Sequence, residues 1–317
     1  MTVIAPPAAA PAADRRAGTG LVRTVLRLHR TALIVWTVYV LGTVGALIWL
    51  TAVTAPATRA TLDGQLYDTG YSETLSWLAN LFCYSFWAVA AWAGGSLIGR
   101  ELESGTARLA WTQGVTPTRW LAAKLTVPAA VIVVGGALFV PVYRWVWSAD
   151  RDLHGDDWTW SEVFVGHGPT VVAYGLCALA VGALVGLLIR RALPALGVSV
   201  AVMMVVNVVL ATFRTSLWPS LTRTSETMFF PSEKVWQVDS GVLVDGRRAS
   251  GVDYRTCGGT AAEQRGCLDD LGVTGFWSDY HPPSHFWPIQ LVETGILLAV
   301  AALAVAVSFR LLRRRTR

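Results

Sequence analysis

Six apolar runs, each about as long as a bilayer is thick, constrain this chain more than any other feature. They lie at Thr31–Val53, Thr74–Ile98, Leu125–Trp147, Pro169–Ile189, Ala192–Phe213 and Trp287–Phe309. A helix needs roughly 20 such residues to cross the hydrocarbon core. Nearly charge-free runs of that length predict membrane spans rather than the buried helices of a soluble fold. Composition agrees, since 15% of the 317 residues are charged, against about 25% in soluble domains. The expected fold is an all-α polytopic membrane protein with six transmembrane helices and a long outer loop before the last.

The arginines set the expected orientation, because cytoplasmic loops retain positive charge. With the N-terminus inside, the inner segments hold 16 basic residues and three acids (Asp14, Glu101, Glu103). The outer segments hold the remaining 10 basic residues and 17 acids, with Glu293 inside a span. The inner side is then +13 and the outer side −7, so both termini are expected in the cytoplasm. The basic balance reflects this topology and gives no reason to expect a nucleic-acid partner; the lipid bilayer is the expected surrounding. Heavy Arg, Ala and Val usage with only Lys124 and Lys234 as lysines points to a GC-rich bacterium, and the expected location is its plasma (inner) membrane.

Residues 1–20 begin with the Ala/Pro-rich MTVIAPPAAAPAAD and predict a disordered cytoplasmic tail. The first run is too long, and too far behind the start, for a typical signal peptide. Over 21–30, LVRTVLRLHR places Arg23, Arg27 and Arg30 on one helical face. This is the pattern of an amphipathic helix on the inner leaflet; the plainer alternative is an extension of the first span. Residues 31–213 are then a five-helix unit, 214–286 an extracellular loop, 287–309 the sixth span and 310–317 a basic tail.

The 214–286 loop is too long for a plain connector and predicts a small ordered cap or re-entrant elements. It holds Cys257 and Cys267, an expected disulfide in an oxidising outer compartment, and ends in FWSDYHPPSHFW, whose Trp277 and Trp287 suit an interfacial belt. Cys83 and Cys177, inside spans, read as packing residues. Ala90, Ala91, Gly94 and Gly95 in span two, and Gly175, Ala178, Gly182 and Gly186 in span four, permit close helix contact, within one subunit or between two. Pro141 is a possible kink in span three.

Other motifs restrict the chemistry. No G-x-x-x-x-G-K-[ST] loop occurs, so the chain lacks P-loop ATP binding. DRDLHGDDWTWSE puts Asp150, Asp152 and Gly155 at calcium-loop positions, but His154 and Ser161 fall where ligands belong, and a solvated acidic loop is expected. His281 and His285 are four apart, yet the Pro-Pro-Ser between them argues against a helix aiming both at one metal; no metal site is expected. Glu293, an intramembrane carboxylate, is a functional candidate by default, or else pairs with Arg144 or Arg214. Asn207 is a second polar residue in a span.

One segment remains, the loop 99–124. Arg100-Glu101-Leu102-Glu103-Ser104-Gly105-Thr106 continues from span two, and Trp120-x-x-x-Lys124 leads into span three. This pattern, with six spans and an amphipathic N-terminal helix, resembles the membrane subunits of type-2 ATP-binding-cassette permeases. HFWPIQLVETG, leading into the last span, also resembles bacterial members. The resemblance implies a coupling loop that docks on a separate ATPase subunit, with Glu101, Glu103, Gly105, Thr106 and Arg108 in the docking element. Two permeases, as a homodimer or a similar pair, would join two ATPases. ATP and Mg would sit on the partner, and this chain would carry no cofactor and no catalytic residues. The family's pathway runs mainly between spans two and five, making Tyr84, Phe86, Met203 and Asn207 candidate lining residues, with Glu293 beside them. The function implied is efflux of an amphipathic small molecule, drug or lipid. The rival readings are a non-transporting sensor or assembly factor on the same fold, and a membrane-embedded enzyme, for which polar clusters at one depth are lacking.

Overall fold

The computed structural model describes residues 24, 26–62, 65–227 and 234–315. The expected tail 1–20 and part of the 21–30 helix lie outside the described residues; Leu26–Leu28 are helical and lead through a turn at His29 into the first span. Among the described residues, six helices are long and apolar enough to cross a membrane, and the protein is a polytopic α-helical membrane protein. They are α1 (Arg30–Thr61), α2 (Thr69–Glu103), α4 (Pro117–Ala149), α6 (Thr170–Ile189), α7 (Ala192–Phe213) and α9 (Phe286–Arg315). Short helices α3 (Thr106–Thr112), α5 (Ser161–Gly166) and α8 (Ala261–Asp270) fill the connections.

Several spans exceed the apolar runs because polar caps, not hydropathy, set their ends. Asp68 accepts a hydrogen bond from the Tyr71 amide at 2.6 Å and starts α2. Thr116 caps α4 in the same way, with Pro117 in its first turn. The first helix therefore runs to Thr61 and the second begins at Thr69, closer together than the apolar runs that end at Val53 and begin at Thr74. In α1 the helix widens to a π-turn over Leu50–Thr54, directly before Pro56. Proline has no N–H, and its ring presses on the carbonyl four residues back, so a wider turn lets the helix continue. Pro128 and Pro141 both lie inside α4, which runs on through them.

Helix α6 is the centre of the bundle, buried on nearly every turn. Gly182 and Gly186 meet α2 of the same subunit, and Gly175 packs on Ile132 of α4. A Cβ on Gly182 would lie 2.7 Å from the Ala90 carbonyl and 2.7 Å from the Ala93 Cβ. On Gly186 it would lie 2.9 Å from the Gly94 carbonyl. The other side of α2 packs as tightly on α7, where a Cβ on Gly94 would come 2.9 Å from the Ala195 carbonyl. Backbone cannot yield as a side chain can, so Gly182→Leu is expected to cost at least the 1–3 kcal/mol typical of overpacking. Gly295→Ala, which meets open space, should be near neutral. Thermal unfolding of the two variants in detergent tests the contrast.

The outer loop departs from an all-α fold. It forms a four-stranded antiparallel sheet of β1 (Leu221–Ser225), β2 (Trp236–Val244), β3 (Arg247–Ala249) and β4 (Val273–His281), in the order β1-β4-β2-β3. The signal lay in WQVDSGVLV and VTGFWSDYH, nine residues each and rich in β-branched and aromatic side chains. Trp277 is not in a membrane belt but buried in the sheet, with the Arg248 guanidinium 3.9 Å from its ring centroid. A disulfide joins Cys257 to Cys267, at the C-terminal half of α8. Trp236 of β2 seats the sheet on the bundle, packing edge-on to Trp158 at 5.6 Å and Phe164 at 6.0 Å.

The second outer loop is also not a solvated acidic loop. Asp150 and Asp156 are buried. Arg59 reaches from α1 to Asp150 at 2.9 Å and Asp152 at 2.7 Å, while Tyr71 and Thr51 donate to Asp150. Asp156 accepts from Ser72 at 2.6 Å and Ser76 at 2.9 Å. These carboxylates tie α1, α2 and the end of α4 together, and among the described residues no group of three or more metal-ligating side chains occurs.

Candidate functional site

The loop between α2 and α4 is built by its Gly-Thr pair. Gly105 adopts φ +76°, a left-handed conformation that costs glycine little, and so ends α2 and starts α3. The Thr106 hydroxyl then donates to the Glu101 carbonyl at 3.3 Å, closing the turn. Gly114, at φ +91°, ends α3 before the Thr116 cap.

The two acids of the loop are both engaged by the bundle, Glu101 largely covered and Glu103 still exposed. Glu101 forms an ion pair with Lys124 and accepts from the Trp120 indole at 3.2 Å. Lys124 is only 2% exposed and also donates to His29 Nε2 at 2.7 Å. His29 must therefore present a lone pair at Nε2, and burial, followed by the Lys124 charge, pushes its pKa down to about 4. Glu103 accepts from the Ala192 amide at 2.8 Å and caps α7. The outward face of the loop carries Thr106, Arg108, Leu109 and Thr112, with Leu109 59% exposed.

A second polar cluster lies within the bundle. Arg214, at the end of α7, pairs with Glu293 of α9 through Nε at 2.7 Å and Nη2 at 3.1 Å; both side chains are almost completely buried. Tyr174 of α6 donates to Glu293 at 3.0 Å, Arg214 Nη1 donates to Ser161 at 3.2 Å, and Phe164 lies under the guanidinium at 4.6 Å. Arg144 takes no part; it stacks on Trp287 at 5.3 Å. Asn207 reaches the Tyr174 hydroxyl at 3.5 Å, and Phe86 stacks on the Tyr174 ring at 4.7 Å. Of the expected lining residues, Phe86 and Met203 are buried within the subunit, and only a small space remains beside Asn207. Sequence reasoning missed Tyr174, Ser161 and Gln290. The last was legible, since Gln290, Glu293 and Thr294 share a helical face on α9.

The outer end of the bundle adds a third layer. Gln290 donates to the Phe164 carbonyl and accepts from Thr170. His167 donates through Nδ1 to the Val163 carbonyl at 2.8 Å and packs edge-on to Tyr143 and Trp147. Burial, rather than any one charge, holds its pKa down at about 4. The unfolded chain takes up that proton near pH 6.5, so stability is full above about 6.5 and falls as pH drops towards 4. His167→Gln is expected to flatten this slope, by up to about 3 kcal/mol at the acid end, as read from unfolding midpoints across pH 4–7. His281 and His285 do meet, Nδ1 to Nδ1 at 3.0 Å, through a strand end and a single helical turn rather than a regular helix.

A cleft of about 820 Å³ lies between α1, the middle of α2 and α4. It exists because α2 breaks at Tyr84-Ser85, between helical segments ending at Cys83 and resuming at Phe86. Its walls are Trp36, Tyr39, Tyr84, Trp87 and Trp92, with polar points at Asn80 and Ser85. That volume lies within the roughly 300–1,000 Å³ of small-molecule sites, which combine apolar walls with a few polar groups.

A family model described as ABC-2 membrane transporter related matches residues 26–214, which include the loop and the first five spans. No curated protein and no solved structure matches the chain.

Proposed function

We propose that this chain, which belongs to the ABC-2 membrane transporter-related family, is the permease subunit of an ATP-driven exporter for amphipathic small molecules. Family membership supports a general transport role in a multi-pass membrane protein. The observation that carries the finer reading is the aromatic cleft, whose rim residues Val35, Leu81 and Ala88 are exposed while Val89, Pro128 and Ile132 form a buried floor. Flat aromatic walls with isolated polar points suit a drug-like or lipid-like molecule better than a sugar or an ion. Tyr84 belongs to this cleft; Phe86, Met203, Asn207 and Glu293 stand behind it and would become accessible only if α2 and α7 moved apart.

The chain has no phosphate loop of its own, so energy would come from a separate ATPase pressing on α3 through Thr106, Arg108 and Leu109. Glu101 and Glu103 would hold α3 at its angle rather than touch the partner. Two such subunits would alternate access as the ATPases close, in a bacterial plasma membrane with both termini inside.

The test is the assembled complex in proteoliposomes. Amphipathic dyes are expected to stimulate ATP hydrolysis and to be moved across the bilayer. Trp87→Ala is expected to lower dye transport several-fold while basal hydrolysis persists. A complex that hydrolyses ATP and moves no amphipathic compound would return the sensor reading.

A further inference from the structure

Three arginines from separate parts of the chain line one small cavity of about 150 Å³ at the loop side of the bundle. They are Arg108 on α3, Arg190 in the turn between α6 and α7, and Arg315 at the end of α9. Among the described residues, no carboxylate lies within ion-pair distance of any of them. Glu103, the acid that reaches the α6–α7 turn, is engaged by the Ala192 amide. Trp111 also lines the cavity, and its indole N–H is buried with no hydrogen-bond partner. Arg315 donates to the Leu187 carbonyl at 2.8 Å, leaving the rest of its guanidinium fork. The site therefore offers donors and positive charge from three elements, and no carboxylate among the described residues.

Two further observations point the same way. Arg190 sits at φ +58°, a left-handed conformation that costs a residue with a side chain roughly 1–2 kcal/mol. Glycine would end α6 there more easily, so the guanidinium itself is the reason for an arginine. Burial, and then the charges of Arg315 and Arg108, lower the Arg190 pKa, as expected of like charges that lack a counter-ion.

We propose that this cavity binds a phosphate group, supplied by an anionic phospholipid headgroup or by free phosphate. Guanidinium forks match phosphate oxygens two at a time. The cavity has room for a phosphoryl group. Leu102, Leu187 and Leu311 complete the walls and suit the apolar part of a lipid. A bound phosphate would join α3, the α6–α7 turn and the end of α9, three elements that otherwise repel one another here. The site stands independently of the transport reading.

The experiment is thermal unfolding of the full chain in detergent, with phosphatidylglycerol, phosphatidylcholine or inorganic phosphate added. Phosphatidylglycerol is expected to raise the midpoint by several degrees and phosphatidylcholine by much less. An equal effect from millimolar inorganic phosphate identifies free phosphate as the ligand, and its absence identifies the lipid. The double variant Arg190→Gln/Arg315→Gln removes mutual repulsion. It should unfold no earlier than wild type without anion, and its response to anion should fall at least fivefold. No response in wild type, an equal response to phosphatidylcholine, or a full response in the double variant would overturn the proposal. Should the double variant not fold, Trp111→Phe decides: it keeps the charges and loses the free N–H. Several-fold weaker binding by native mass spectrometry supports the site, and unchanged affinity overturns it.

Discussion

Glu293→Leu is expected to be the most damaging single substitution in the membrane region. It removes the partner of Arg214, a guanidinium 2% exposed and enclosed by Phe164, Tyr174 and the α7–α9 contact. Breaking a buried pair from one side costs about 3–5 kcal/mol, because a desolvated charge is left behind. The Tyr174 hydroxyl also loses its acceptor, which adds about 1–3 kcal/mol if nothing replaces it. A loss of that size is comparable to the whole stability of many proteins, so little folded protein should reach the membrane. Removing both charges is different: Arg214→Met/Glu293→Leu replaces the pair with apolar groups of similar volume and should recover most of the loss. Expression and unfolding midpoints of the three variants test this. A stable single variant would mean that Arg214 finds water, and that the pair borders an open pathway. If the double variant folds but does not transport, the carboxylate has a role beyond holding α7 to α9.

The six spans were legible because lipid leaves one solution for a long apolar run: a helix that satisfies its own backbone. An ordered cap was legible from the length of its loop, but its four strands were not, because they carry Asp239, Ser278 and Asp279 among their aromatics and lack clean alternation. Pairing between β1 and β4 joins residues more than fifty apart, as in Leu221 with Tyr280, and no local pattern encodes that. Glu293 is legible as an acid in a span, and the sequence offers two basic partners for it, Arg144 and Arg214. The choice between Arg144 and Arg214 depended on which helix end approaches α9, and that depends on packing. The small residues of spans two and four announced a close contact without naming its partner; Gly182 against Ala90 does so. The partners of Glu101 and Glu103 were not legible, because helical spacing cannot show that Lys124 and the start of α7 lie beside them.

That last placement changes what the loop acids are expected to do. Glu101→Ala should lower stability before it affects any partner, since it strands Lys124, at 2% exposure, among His29, Leu97 and Trp120. Glu101 is itself 14% exposed, so some water can reach the lysine, and the loss should approach the lower end of about 3–5 kcal/mol. Glu101→Arg should be worse, adding a second cation to the same pocket. Leu109→Asp alters only an exposed side chain and should change stability by no more than about 0.5 kcal/mol. It should nevertheless abolish ATPase association, because it replaces the apolar knob on the outward face of α3 with a charge. Unfolding midpoints measured beside ATPase co-assembly separate the two classes. If Glu101→Ala keeps its midpoint but loses the ATPase, the carboxylate meets the partner directly. With the expected result, the Glu101–Lys124 pair is the joint that fixes α3 to the top of α4, so force applied at Leu109 is carried into the α2 and α4 walls of the aromatic cleft.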